Sequence, residues 1–208
     1  MNFNFRKIFI LVFCLTKFQS ALTAQSEVIK FGFSLNKNSY DRFNYELNDS
    51  IGTNGIGFTI GIAYEIPVLN HTSLSVGFGF SQRNYEVKYF DWPNSDRSNW
   101  ATFPFQINYY LIKNLAFNAG CQIEHLIFKQ KFVYYSDSLQ QKSGYTKYDV
   151  GLIGGLQFRL RRIELNGSFI YGLRKISDTY FFDPLKGIGI NSSAKSYSIK
   201  IGLYYLFY

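Results

Sequence analysis

Residues 195–208 read KSYSIKIGLYYLFY. Taken by alternate positions, Tyr197, Ile199, Ile201, Leu203, Tyr205 and Phe207 fall on one face, and Ser196, Ser198, Lys200, Gly202 and Tyr204 on the other. A period of two belongs to a β-strand with one apolar side. An apolar face that runs out onto Leu-Phe-Tyr needs a surrounding other than water. What that surrounding is decides how the whole chain is read.

Working back from this stretch, the same alternation recurs seven more times. Residues 26–36 carry Ile29, Phe31, Phe33 and Leu35 on one face. Residues 54–66 carry Ile56, Phe58, Ile60, Ile62 and Tyr64 against Gly55, Gly57, Thr59, Gly61 and Ala63. From residue 72, Leu74, Val76, Phe78 and Phe80 oppose Ser75, Gly77 and Gly79. Residues 100–112 set Phe103, Phe105, Ile107, Tyr109 and Leu111 against Gln106 and Asn108. The fifth stretch sets Leu115, Phe117, Ala119, Cys121 and Ile123 against Asn118, Gly120, Gln122 and Glu124. The sixth sets Tyr148, Val150, Leu152, Leu156 and Phe158 against Asp149, Gly151, Gly155, Gln157 and Arg159. The seventh sets Ile163, Leu165, Phe169 and Tyr171 against Glu164, Asn166, Ser168 and Gly172. About ten residues is what a tilted strand needs to cross hydrocarbon.

The connections alternate strictly between short and long. PVLNH, KN and RR follow the second, fourth and sixth stretches, whereas long polar segments such as KNSYDRFNYELNDSIGTN and SDTYFFDPLKGIGINSSAK follow the odd ones. In an antiparallel meander this gathers every short turn at one end and every long loop at the other. Barrels of bacterial outer membranes are built this way, with short periplasmic turns and longer outer loops. Both termini are then expected in the periplasm and the loops outside the cell. Segments such as NYEVKYF and KQKFVYY keep some alternation, so the third to sixth strands are expected to reach past the membrane as ribbons.

A soluble ligand-binding barrel is the rival, with its apolar face turned inward. Against it stands the character of the other face. Gly, Gly, Thr, Gly and Ala on the second stretch suit a cramped barrel interior, because glycine weakens an exposed strand without gain in packing. Tyr64, Trp100, Tyr109, Tyr148, Tyr171 and Tyr205 stand near the limits of the apolar stretches, where rings with one polar tip settle at lipid headgroups. The expected fold is therefore all-β, an eight-stranded antiparallel up-and-down transmembrane β-barrel. Because hydrocarbon cannot satisfy a free sheet edge, the last strand must pair with the first.

The beginning of the chain reads as an export signal. Arg6 and Lys7 precede IFILVFCL, a run too short to span a bilayer as a helix, and small residues follow in SALTAQS. Residues 1–24 are expected to be a cleaved signal peptide and residues 25–208 the barrel domain. Loss of Arg6, Lys7 and Lys17 lowers the formal charge from +8 to +5. No Lys/Arg block stands out, which argues against a nucleic-acid partner. Only Cys121 remains, so no internal disulfide is available.

From the signal ending ALTAQS to the terminal GLYYLFY, the chain resembles small outer-membrane β-barrels. It looks most like the PorT-like barrels of Bacteroidota, with the general architecture of OmpX and the OmpA barrel. The resemblance rests on patterning and implies architecture more than activity. It implies a monomeric barrel in contact with outer-membrane lipid, delivered by the barrel-assembly machinery, which reads terminal aromatics. Here Phe207 has the outward parity and Tyr208 is one residue beyond it. PorT is tied to a secretion and gliding apparatus, which makes a protein of such an envelope complex a candidate partner.

Candidate chemistry lies inside and at the loops. Glu124, Asp149, Arg159, Glu164 and Lys200 should form a structural polar network in the lumen, with Arg159 or Lys200 against one of the carboxylates. Gln106, Asn118, Gln122 and Gln157 join them. Tyr89, Trp92, Tyr135 and Phe181 are the loop candidates for contact with a partner. Catalysis in the manner of a lipid A-modifying enzyme would need a histidine near a serine and a carboxylate. His71 and Ser73 have the spacing but fall at a short turn, and His125 should face away from Glu124. A non-enzymatic barrel without cofactor or metal is therefore expected, with a lipid-modifying enzyme and a narrow channel as the alternatives.

Overall fold

The computed structural model describes residues 27–44, 49–89, 92–132, 140–183 and 188–208, with the backbone alone at 40–44, 49–53, 85–89, 92–96, 130–132, 140–145, 176–183 and 188–194. The proposed signal peptide and its cleavage site, and Tyr135 in the fifth connection, lie outside the described residues.

The strands are β1 (Val28–Asn44), β2 (Asp49–Leu69), β3 (Thr72–Tyr89), β4 (Trp92–Ile112), β5 (Leu115–Phe132), β6 (Gln140–Tyr145), β7 (Tyr148–Leu160), β8 (Ile163–Asp183) and β9 (Ile188–Phe207). All pairings are antiparallel. β6 and β7 pair successive parts of β8, as Tyr145 opposite Ser177 and Gly151 opposite Gly172 show. Together they make one stave of the wall, interrupted at Thr146 and Lys147. The wall thus has eight staves, and β9 returns to β1 from Ile29 opposite Phe207 to Asn44 opposite Ser192. At membrane level no edge is left open.

The polarity of this wall is inverted relative to a soluble protein. Phe31 is 50% exposed and its neighbour Lys30 only 4%. Phe78 and Ile201 are 52% and 69% exposed, while Ser34, Asn36, Asn108 and Gln157 are buried. Among the described residues, twenty-two buried polar or charged side chains face seven buried apolar ones. The apolar stripe of each stave therefore faces outward, as its alternation requires. An apolar exterior of this extent is stable only against hydrocarbon.

Interior space is scarce, and glycine makes room for the larger groups. A Cβ on Gly32 would lie 2.2 Å from Tyr204 Cδ1, and one on Gly202 would lie 2.8 Å from the same ring's Cε2. Gly32 stands opposite Tyr204 in the closing pair, so the ring lies in a notch made by two glycines of adjacent strands. Ile153 and Ile170, opposite each other on β7 and β8, also turn inward among the polar groups.

Two expectations need correction. Trp100, assigned to the outer aromatic girdle, is fully buried on the lumen side. It shares parity with Thr102 and Asn108, its Nε1 donates to Ser98 Oγ at 2.9 Å, and the Arg83 guanidinium lies 5.5 Å from its ring. Proximity to the end of an apolar run suggested the girdle; alternation from Phe103 and Phe105 gives the true side. The long connections are also shorter than expected. Strands of 17 to 21 residues form most of the wall, so that Tyr89 and Trp92 are backbone partners in the β3–β4 ribbon. Phe181 is likewise paired, opposite Gln141 and Ile190. The extension reaches β1, β2, β8 and β9 as well as the strands expected to reach outward.

Candidate functional site: a charge-balanced lumen

Each functional side chain is placed by stave parity. Lys30 on β1, Glu65 on β2, Arg159 on β7 and Glu164 on β8 meet near the end that carries the short turns. Lys30 Nζ lies 2.6 Å from Glu65 Oε2 and 2.8 Å from Glu164 Oε2. Arg159 bridges the same two carboxylates, Nε to Glu164 at 2.9 Å and an η nitrogen to Glu65 at 2.5 Å. Two cations and two anions thus form a closed square in which each charge has two partners. Glu65 also accepts from Ser73 Oγ at 2.7 Å, Tyr110 Oη at 2.5 Å and Asn108 Nδ2 at 3.2 Å. Gln157 accepts from Lys30 at 3.2 Å and donates to Asn108. Burying four charges is costly, and this density of partners is what makes the arrangement tolerable.

Toward the ribbons a second cluster forms. Arg83 on β3 donates to Glu124 on β5. Gln122 Nε2 donates to the same carboxylate at 2.5 Å, and its Oε1 accepts from Lys200 Nζ on β9 at 3.4 Å. Asp149 takes a different set: Ser196 Oγ donates to it at 2.8 Å and the backbone N–H of Val150 at 2.8 Å. Arg83 and Lys200 balance Glu124 and Asp149 in formal charge, as the two lysine/arginine and two glutamate residues do below.

Of the sequence candidates, Arg159 and Glu164 are brought together directly, and Glu124 is paired, though with Arg83. Lys200 reaches an amide and Asp149 a hydroxyl. Lys30, Glu65 and Arg83 were missed, yet each lies on the inward parity of its strand: Lys30 with Ser34, Glu65 with Ala63, Arg83 with Ser81. Lys30 lies between Ile29 and Phe31 on the unread face of the first stretch, Glu65 is the next inward position after Ala63, and Arg83 is two inward positions past Gly79, so reading each inward face to its end finds all three.

Between the clusters a cavity of about 70 Å³ touches Lys30, Thr59, Gln106, Glu164 and Lys200. That is room for a few water molecules. At the turn end a wider bowl of about 960 Å³ opens between His71, Tyr110, Arg159 and Arg162. Glu65 and Arg159 of the four-charge square line it. Ser73 Oγ, two residues from His71, is engaged with Glu65 and with Asn108 at 3.0 Å. His125 stacks against Tyr148 on the outer face, 4.7 Å between ring centroids, while Glu124 faces the lumen. Among the described residues no group of three or more His, Cys, Asp or Glu side chains could hold a metal ion.

No curated protein is matched by the sequence. Among solved structures, Ail, the attachment invasion locus protein of Yersinia pestis, is similar at 12% identity and a TM-score of 0.49, covering 88% of this chain and 100% of its own. Neisserial surface protein A is similar at 13% identity and a TM-score of 0.47, over 85% of this chain and 97% of that one. The outer membrane protease OmpT from Escherichia coli is similar at 7% identity and a TM-score of 0.41, over 88% and 98%. Residues 23–178 match the family described as the outer membrane protein beta-barrel domain. A closed antiparallel wall, an inverted core and that match lead to one conclusion: this chain belongs to the outer membrane β-barrel domain family.

Proposed function

We propose that this protein is a sealed outer-membrane barrel acting as a structural or partner-binding protein of the envelope. Its ribbon end faces the medium and its short turns face the periplasm. The observation that carries this reading is the lumen. Two charge clusters stand in the lumen, and the cavity of about 70 Å³ between them is far smaller than an aqueous channel. The surfaces proposed to act are the β-ribbons beyond the membrane. The aromatic-rich sequences around Tyr89, Trp92 and Phe181 in these ribbons, and around Tyr135 in the fifth connection, suit contact with another envelope protein. The resemblance to PorT-like barrels makes a secretion-associated complex the first place to look.

Crosslinking in intact envelopes, followed by pull-down of the barrel, tests this reading. Recovery of a defined envelope protein that is lost when the ribbon tips are shortened supports it. Stepwise conductance of the purified barrel in planar bilayers would overturn the sealed lumen. Protease digestion of whole cells checks orientation, since cleavage in the ribbons but not in the turns is expected.

A further inference from the structure

Lys30 and Lys200 are both buried in the lumen, yet they are served differently. An ammonium carries three N–H donors. Lys30 finds three acceptors, Glu65 at 2.6 Å, Glu164 at 2.8 Å and Gln157 at 3.2 Å. Lys200 is 8% exposed, and among the described residues its acceptor is Gln122 Oε1, at 3.4 Å. The lumen carboxylates described above are committed elsewhere. Glu65 and Glu164 belong to the square, Glu124 accepts from Arg83 and Gln122, and Asp149 accepts from Ser196 and the Val150 N–H. The charges of the ribbon-side cluster balance in number but not in place.

Lys200 lines the cavity of about 70 Å³ between the two clusters. Hydrogen-bond donors line the same space from other strands. Ser168 stands opposite Lys200 across β8 and β9, Ser75 stands opposite Gln106 across β3 and β4, and Thr102 joins them. Gly61, Ala63 and Gly79 leave the room on the β2–β3 side. At its other end the cavity meets Lys30 and Glu164, which are paired with each other. Toward the ribbons, Asn38 and Ser198 pair across β1 and β9, one inward position beyond Asn36 and Lys200. Both are buried, and among the described residues Ser198 Oγ and both amide atoms of Asn38 have no hydrogen-bond partner. Water satisfies polar atoms so placed, which makes a hydrated way in from the ribbon end.

A buried cation without an ionic contact is costly, and an anion against it removes much of that cost. We infer that Lys200 holds a monovalent anion of chloride size in this cavity, with the Gln106 amide and the hydroxyls of Ser75, Thr102 and Ser168 as further donors. One charge suffices, because one ammonium faces the space without a carboxylate in contact. Phosphate or sulfate would bring more charge than Lys200 answers, and a metal cation would be repelled by the ammonium. The site is blind. An ion reaches it from the ribbon end and is stopped by the four-charge square beyond. The inference goes beyond the envelope role proposed above and does not rest on it.

Bromide is the probe, since it substitutes for chloride and scatters anomalously. The barrel, purified from outer membranes in dodecyl maltoside, is crystallised from sodium bromide, with data collected at the bromine edge. An anomalous peak beside Lys200 Nζ is expected, and water alone in the cavity overturns the inference. A second measurement follows urea unfolding of the barrel in lipid vesicles while chloride replaces gluconate at constant ionic strength. The wild-type equilibrium should shift toward the folded state about twofold where the site is half filled, and about tenfold at ten times that concentration. K200M should lie close to the wild type in gluconate and should not gain from chloride. K113Q, which removes an exposed cation of the turn rim, should respond as the wild type does. Heat-modifiable gel mobility verifies that each variant is folded. An equal chloride response in the wild type and in folded K200M overturns the inference, as a general salt effect. Should K200M not fold, the bromide map of the wild type decides alone. None of these outcomes depends on whether a protein partner is recovered from envelopes, so the two proposals fail separately.

Discussion

The two halves of the lumen solve the same problem differently. Near the turns, Lys30, Glu65, Arg159 and Glu164 form a square in which each charge touches two of opposite sign. Near the ribbons, among the described residues, Arg83 pairs with Glu124, Lys200 reaches Gln122 at 3.4 Å, and Asp149 accepts from a hydroxyl and a backbone amide. The first arrangement fails as a unit when one member goes. The second can lose a member and leave its neighbours served. The turn-end half should therefore carry most of the stability that the interior supplies.

Replacement of Glu65 is the strongest test of that contrast. Glu65→Gln leaves Lys30 and Arg159 sharing Glu164 alone, and a loss of about 3–5 kcal/mol is expected in a urea titration of the barrel folded into lipid vesicles. A loss no larger than that from altering Lys200 would dissolve the distinction between the halves. Ile60→Arg keeps the comparison confined to the lumen, since Ile60 faces outward. It should cost about 2–4 kcal/mol near the bilayer midplane in the same titration, by charging the lipid face and leaving the interior unchanged. Gly32→Val sharpens the picture of the turn-end half. The added methyl groups meet the Tyr204 ring and should cost about 1–3 kcal/mol through overpacking. A simultaneous Tyr204→Ala should recover part of that loss, whereas no recovery would separate the notch from the ring. Lys200→Met gives the smallest effect. It exchanges a buried cation without a direct carboxylate contact for an apolar chain of similar length, and a change within about 1 kcal/mol is expected.

Much of this was legible from alternation alone. Phe31, Ile62 and Leu203 lie outside and Ser34, Asn118 and Gln157 inside, because a strand offers side chains only two directions. Closure of β9 on β1 followed from the cost of a bare edge in lipid. The partners inside were not legible. Lys30 and Glu164 are 134 positions apart and meet only because the stagger of a closed wall brings β1 and β8 to one level. Parity says that a charge faces the lumen; it does not say at what height its counterpart stands. The ribbons were underestimated for a related reason. Once both faces of a strand are in water, alternation fades from the sequence while backbone pairing continues, as along Asp41–Lys195 and Tyr89–Trp92.

The pairing of Ile29 with Phe207 has a topological consequence. Both ends of the barrel strand order sit side by side at one rim, so a linker of a few residues could splice them without disturbing the wall. New ends cut at a distant ribbon tip would then yield a circularly permuted chain with the same stave order and the same lumen. In such a molecule the seam between β1 and β9 becomes an ordinary hairpin, and closure is handed to a different pair of neighbours.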